Sequence, residues 1–139
     1  YDHTIVVNNE GTVYAFGSDN FGQLGLGIDV GEDNYNIAWK PVQIKGLDKI
    51  VNVSCGRDST ILVNSEGIVY AFGSNFFGQL GLGENVGGGF YKIVWKPTII
   101  DGLGKIVNVY CGCYHTIAVN SEGISYAFGE NKYGQLGLG

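Results

Sequence analysis

One heptapeptide occurs three times along this 139-residue chain at a fixed spacing. Phe21-Gly22-Gln23-Leu24-Gly25-Leu26-Gly27 returns as Phe77-Gly78-Gln79-Leu80-Gly81-Leu82-Gly83, then as Tyr133-Gly134-Gln135-Leu136-Gly137-Leu138-Gly139. The offsets are 77 − 21 = 56 and 133 − 77 = 56 residues. A fixed period of this size marks a repeat architecture in which each period is one supersecondary unit. Residues 28–83 and 84–139 agree at 36 of 56 positions, so the whole unit is duplicated. Residues 1–27 match the second halves of both units. The expected division is a partial repeat over 1–27, a full repeat over 28–83 and a full-period repeat over 84–139, all in one incomplete domain. Units in such an array bury their apolar faces against their neighbours. About two and a half copies, with no methionine anywhere, therefore read as a segment of a larger protein.

Each unit carries four strand signals. His3-Thr4-Ile5-Val6-Val7 is β-branched and apolar. Asn8-Asn9-Glu10-Gly11 reads as a turn, in which Asn tolerates a left-handed backbone and Gly supplies positive φ. Thr12-Val13-Tyr14-Ala15-Phe16 completes a hairpin, which recurs over 60–72 and 116–128. Gly17, Gly73 and Gly129 end its second strand. In the heptapeptide that follows, the leucines are expected to fill space between units, and the Gln side chain to bond buried loop backbone. After a longer connection, Trp-Lys-Pro opens a short strand over 42–44 or 98–100. Residues 50–54 and 106–110 form a fourth. No segment has a helical period over three turns. Four short strands per unit predict an all-β fold made of β-propeller blades.

Composition narrows the function classes. Hydrophobic residues make up 45% of the chain, which excludes a disordered class. No apolar run approaches the roughly 20 residues that span a bilayer, so no membrane partner is expected. The net charge is −5 without a basic cluster, so no direct nucleic-acid contact is expected. Three cysteines are too few for a disulfide framework, and Cys55 and Cys111 hold the same place in successive units. Reduced thiols in the cytoplasm or nucleus are expected. Asn52-Val53-Ser54 is a glycosylation sequon only formally, since it lies in a predicted strand and Tyr110 replaces Ser54 in the next copy.

The combined pattern resembles a known family. Gly-Gln-Leu-Gly-x-Gly is followed by Pro with a short strand, by Ile-Val-x-Val-x-Cys-Gly, by x-x-His-Thr, by an Asn-x-x-Gly turn and by Tyr-x-Phe-Gly. This is similar to the repeat of the regulator of chromosome condensation (RCC1) family, over the whole chain. The resemblance implies a seven-bladed propeller, of which this chain supplies about two and a half four-stranded blades. It also implies partners. Some members exchange guanine nucleotide on the GTPase Ran, others are ubiquitin ligases, and others are ciliary or scaffold proteins. Photoreception, known in a plant member, is set aside. The tryptophan of its Gly-Trp-Arg-His-Thr is missing from Gly56-Arg57-Asp58-Ser59-Thr60 and Gly112-Cys113-Tyr114-His115-Thr116.

No catalytic set stands apart from the repeat, and no cofactor is expected. Cys111, Cys113 and His115 fall at i, i+2, i+4 and form a zinc-type ligand set. Gly112 between them and Arg57 and Ser59 in the previous copy favour a structural role, with His3 and His115 bonding inside their blades. Trp39 and Trp95 read as packing residues at a fixed blade position. The glycine run lacks the lysine and following helix of a phosphate loop. The connections 28–38 and 84–94 differ between copies, and long loops on one face of a repeat protein are common binding surfaces. There Asp29, Glu32 and Asp33 would steer a basic partner, and Tyr35, Phe90 and Tyr91 would anchor it. The expected function is a protein-protein interaction module. The alternatives are a guanine-nucleotide exchange factor for a small Ran-like GTPase and the recruiting domain of a larger ubiquitin ligase.

Overall fold

The computed structural model describes residues 1–28 and 35–139. Among them the chain is all-β, in three antiparallel sheets. The first joins β1 (His3–Val7), β2 (Val13–Ser18) and β3 (Ile37–Gln43). The middle sheet runs in order β4 (Ile50–Cys55), β5 (Ser59–Asn64), β6 (Val69–Ser74), β7 (Ile93–Ile99). The third joins β8 (Ile106–Cys111), β9 (His115–Asn120) and β10 (Ser125–Gly129). Strand β4 lies against β8, and β1 against β4, so the sheets stack side by side. The first two sheets each draw strands from two sequence periods, since β3 lies beyond Gly27 and β7 beyond Gly83.

The hairpin turns work differently from the sequence expectation. Neither Asn8 nor Asn9 takes a positive φ. Instead Asn8 Oδ1 accepts from the amides of Glu10 and Thr12, at 3.0 and 2.9 Å. Asn64 and Asn120 repeat this with the same distances. A short side-chain acceptor thus satisfies turn amides that the ladder leaves free.

The proline expectation also needs correcting. Pro41 and Pro97 do not open their strands but lie inside β3 and β7. Both strands are sheet edges, and the register shifts where they pass Phe16 and Phe72. A residue without an N–H is tolerated at such a bulge on an edge.

Two cores lie between the three sheets. Val13, Ala15, Leu24, Leu62, Tyr70 and Phe72 pack between the first and second. Ile61, Val63, Val69, Ala71, Leu80, Val109 and Ala118 pack between the second and third. Strands β5 and β6 are buried at every position, because alternate side chains enter opposite cores. In β9 burial alternates, as for a sheet covered on one face.

The heptapeptide joins neighbouring sheets. Leu24 and Leu80 are fully buried. A Cβ on Gly25 would lie 2.8 Å from the Phe72 ring, and one on Gly81 would lie 2.9 Å from the Phe128 ring. Only glycine lets each loop reach the ring of the next sheet. Gln23, Gln79 and Gln135 each accept, through Oε1, the amide of the aromatic residue two positions earlier, at 2.8 to 2.9 Å. Both expected roles, leucine filling and glutamine bonding, are present.

Thr60 completes the joint. Its buried hydroxyl donates to the Gln23 carbonyl at 2.8 Å and lies 3.1 Å from His3 Nε2. The sequence reading expected His3 to bond inside its blade; it has one local partner, the Tyr1 carbonyl at 3.3 Å from Nδ1, while Nε2 bonds across to the next sheet. Burial also lowers the His3 pKa. Thr116 donates to Gln79 in the same way at 2.8 Å. Thr60→Val keeps the shape but leaves a buried carbonyl unpaired. It is expected to cost about 2 kcal/mol in urea unfolding, with Thr60→Ser restoring most of it. A loss no larger than that of an exposed Thr4→Val control would remove this hydroxyl from the joint.

Candidate functional site

Strands β1, β5 and β9 begin at the end of the sheets opposite the hairpin turns, and β2, β6 and β10 finish there. The loops at this end carry aromatic rings in mutual contact. Phe21 meets Tyr91 with centroids 5.1 Å apart, and Tyr91 meets Phe90 at 5.2 Å. Phe90 meets Phe76 at 5.2 Å, Phe76 meets Phe77 at 4.9 Å, and Phe77 meets Tyr114 at 4.9 Å. The chain of rings crosses all three sheets. Such edge and tilted geometries are the favoured aromatic arrangements.

Local structure places these rings. The connection before β7 folds back on itself, with Gly88 and Ile93 exchanging both backbone hydrogen bonds at 2.9 and 2.8 Å. Asn75 clamps its start, donating from Nδ2 to the carbonyls of Gly83 and Val86 at 3.0 and 3.2 Å. Phe90 and Tyr91 stand at the tip of this fold. At the other end Arg57 Nη1 donates to the Tyr114 hydroxyl at 2.6 Å, and Arg57 Nε lies 3.6 Å from the Asp58 carboxylate. The Arg57 guanidinium sits 5.3 and 5.6 Å from the ring centroids of Tyr1 and Tyr114. Phe21, Phe76, Phe77, Tyr91, Tyr114 and Arg57 line a cleft of about 620 Å³ with Ser18, Asn20, Ser74 and Asp2 at its polar rim, and Phe90 flanks it against Phe76 and Tyr91. That volume suits a few side chains of a bound segment.

Of the residues singled out in the sequence, Phe90 and Tyr91 are exposed and belong to this surface. Tyr35 is exposed and makes none of these ring contacts among the described residues. Asp29, Glu32 and Asp33 lie outside the described residues. The sequence reading missed Phe21, Phe76, Phe77, Arg57 and Tyr114. A signal existed for some of them. Phe76 stands where the other copies have Asn20 and Lys132, and Arg57-Asp58 stands opposite Cys113-Tyr114.

The remaining candidates have structural surroundings. The His115 ring packs where a Gly112 side chain would lie, and the Gly112 amide donates to the His115 carbonyl at 2.8 Å. Among the described residues no three metal-type ligands come together. Cys55, Cys111 and Cys113 are free thiols, and burial pushes the Cys111 thiol up. Asn52 Nδ2 donates to Asn108 at 3.3 Å, and Ser54 Oγ accepts the Cys111 amide at 2.9 Å, so the sequon joins two sheets. Trp95 is half-buried over Gly22, whereas Trp39 is exposed. The loop covering Trp95 follows β2 of the neighbouring first sheet, and the described residues hold no such loop for Trp39. No helix among the described residues is long and apolar enough to cross a membrane.

The sequence profile of the "Regulator of chromosome condensation (RCC1) repeat" matches residues 10–63 and 66–119. A second profile of that description matches 50–79 and 106–135. The "Protein RCC2 homolog" of Danio rerio is 36% identical over 97% of this chain, which spans 26% of that relative. The "X-linked retinitis pigmentosa GTPase regulator" of Canis lupus familiaris is 34% identical over 99% of the chain, which spans 13% of it. Yeast RCC1 (Prp20), solved bound to Kap60, matches 99% of the chain with a TM-score of 0.84 at 23% identity. The chain covers 32% of that structure. The three sheets are thus blades of a β-propeller of this kind.

Proposed function

The chain belongs to the RCC1 repeat family, and from that premise we propose that it is a protein-docking segment whose aromatic loop face holds a partner polypeptide. The observation that carries this reading is the unbroken run of rings across three blades. Phe76 and Phe77 are each 38% exposed and Phe90 is 76% exposed. Contiguous exposed aromatics of this kind mark interaction surfaces, whereas scattered ones do not. The site works by burying rings already ordered by one another, so little side-chain freedom is lost on binding. The free thiols fit a reducing compartment, cytoplasm or nucleus.

The test is affinity capture with the intact polypeptide that carries this chain, unsubstituted and as Phe76→Ala/Phe90→Ala. Partner recovery is expected to fall at least tenfold while the melting temperature stays within about 2 °C. Unchanged recovery would exclude this face. A second reading, exchange of guanine nucleotide on a small GTPase, is supported by the name of the canine relative. Capture of a GTPase from nucleotide-stripped lysate, with release by added GTP, would favour it.

A further inference from the structure

Resting on the docking reading above, we propose that the occupant of the aromatic cleft is an extended, arginine-bearing basic segment whose guanidinium groups stack on the exposed rings. The site already shows this mode of contact. Arg57 lies over Tyr1 and Tyr114 and donates to the Tyr114 hydroxyl, so these rings hold a guanidinium within the fold. Guanidinium is planar and weakly hydrated, and it stacks on aromatic faces better than an ammonium does.

Charge points the same way. Among the described residues the charged side chains lining the cleft are Asp2, Asp58 and Arg57, two carboxylates against one cation. That cation is engaged by Tyr114 and Asp58. Among the described side chains an acidic segment would meet two carboxylates and no free cation, and a wholly apolar one would bury the polar rim unpaired. A basic segment meets carboxylates, hydroxyl and amide acceptors, and ring faces together. The chain carries a net charge of −5, which steers a cationic partner toward it. The rings extend over three blades in sequence, which suits an extended occupant with repeated side chains and not a single small ligand.

Three labelled peptides of equal length test this on the full chain by fluorescence anisotropy. One alternates Arg with Gly and Ser, one replaces each Arg by neutral citrulline, and one is proline-rich. The Arg peptide is expected to bind at least tenfold more tightly than either control and to weaken with added salt. Phe90→Ala and Phe76→Ala should each weaken it about fivefold without altering the far-ultraviolet spectrum. Citrulline or proline-rich peptides binding as tightly as the Arg peptide would overturn the proposal while leaving a docking face in place. Binding of no peptide would also overturn it. The docking reading would then stand or fall on partner capture by the Phe76→Ala/Phe90→Ala variant.

Discussion

Gly73→Ala is expected to cost about 2–5 kcal/mol, enough to unfold much of a marginally stable chain. Gly73 stands one residue before the end of β6 with φ +107, opposite Ser59 in β5. A Cβ there would lie 2.4 Å from the Asp58 carbonyl oxygen and 2.7 Å from the Ser59 Cα. Both are backbone atoms, one at the start of a strand buried on each side and the other just before it, so neither can rotate away. The Asp58 carbonyl is also fixed, since it accepts the Ser74 amide at 2.8 Å. The cost adds a left-handed backbone penalty of about 1–2 kcal/mol to an overpacking penalty of about 1–3 kcal/mol or more. Gly46 separates the two. It has φ +78, and nothing lies within 4 Å of its Cβ position. Gly46→Ala should therefore lose only the backbone part, about 1 kcal/mol. Urea midpoints decide it, and equal losses in the two variants would refute the clash. Gly17 and Gly129 hold the same position in the neighbouring blades, with approaches of 2.3 and 2.4 Å to backbone oxygens.

The sequence makes the repeat, the all-β class and the hairpins legible. Residues 3–7 form the strand expected of them, and the other hairpin strands differ by a residue or two at their ends. Alternation is a local signal, so it survives without knowledge of the neighbouring sheets. What was misread depends on long-range partners. Pro41 looks like a strand opener until Phe16 and Gly17 in β2 are seen to pair around a bulge. His3 looks like a residue of its own blade until Thr60, 57 positions away, is found beside it.

The site divides along the same line. Phe90 and Tyr91 were flagged because their connection differs between copies. Phe21 and Phe77 occupy the heptapeptide, whose leucines and glutamine alone draw an expected role from the sequence. Arg57 and Tyr114 occupy consecutive repeats at different positions, and only the stacking of blades sets one against the other. Comparison of copies finds such residues when applied to every position, including those beside a repeated motif.

Asp19→Asn is expected to stabilise the chain by about 2–3 kcal/mol above pH 7 and by much less below pH 4. Asp19 is 1% exposed, and its Oδ1 accepts the Leu24 amide at 2.8 Å. Its Oδ2 has no hydrogen-bond partner among the described residues. The next two repeats carry asparagine there. Asn75 and Asn131 accept the Leu80 and Leu136 amides at 3.1 and 3.0 Å, and Asn75 also donates two bonds from Nδ2. A carboxylate can copy the acceptor and not the donor. Burial pushes the Asp19 carboxyl up from 3.8 to about 6, and only the Leu24 amide works against it. The native state therefore favours the protonated acid, whose O–H can donate. That preference contributes stability fully below about pH 3.8, and it is lost as pH rises through about 6. Asparagine supplies the donor at every pH. Other carboxylates titrate alike in both proteins, so the difference between their urea unfolding curves from pH 4 to pH 8 isolates Asp19. A difference that stays flat across that range would show that the Asp19 carboxyl is ionised without penalty in the folded chain.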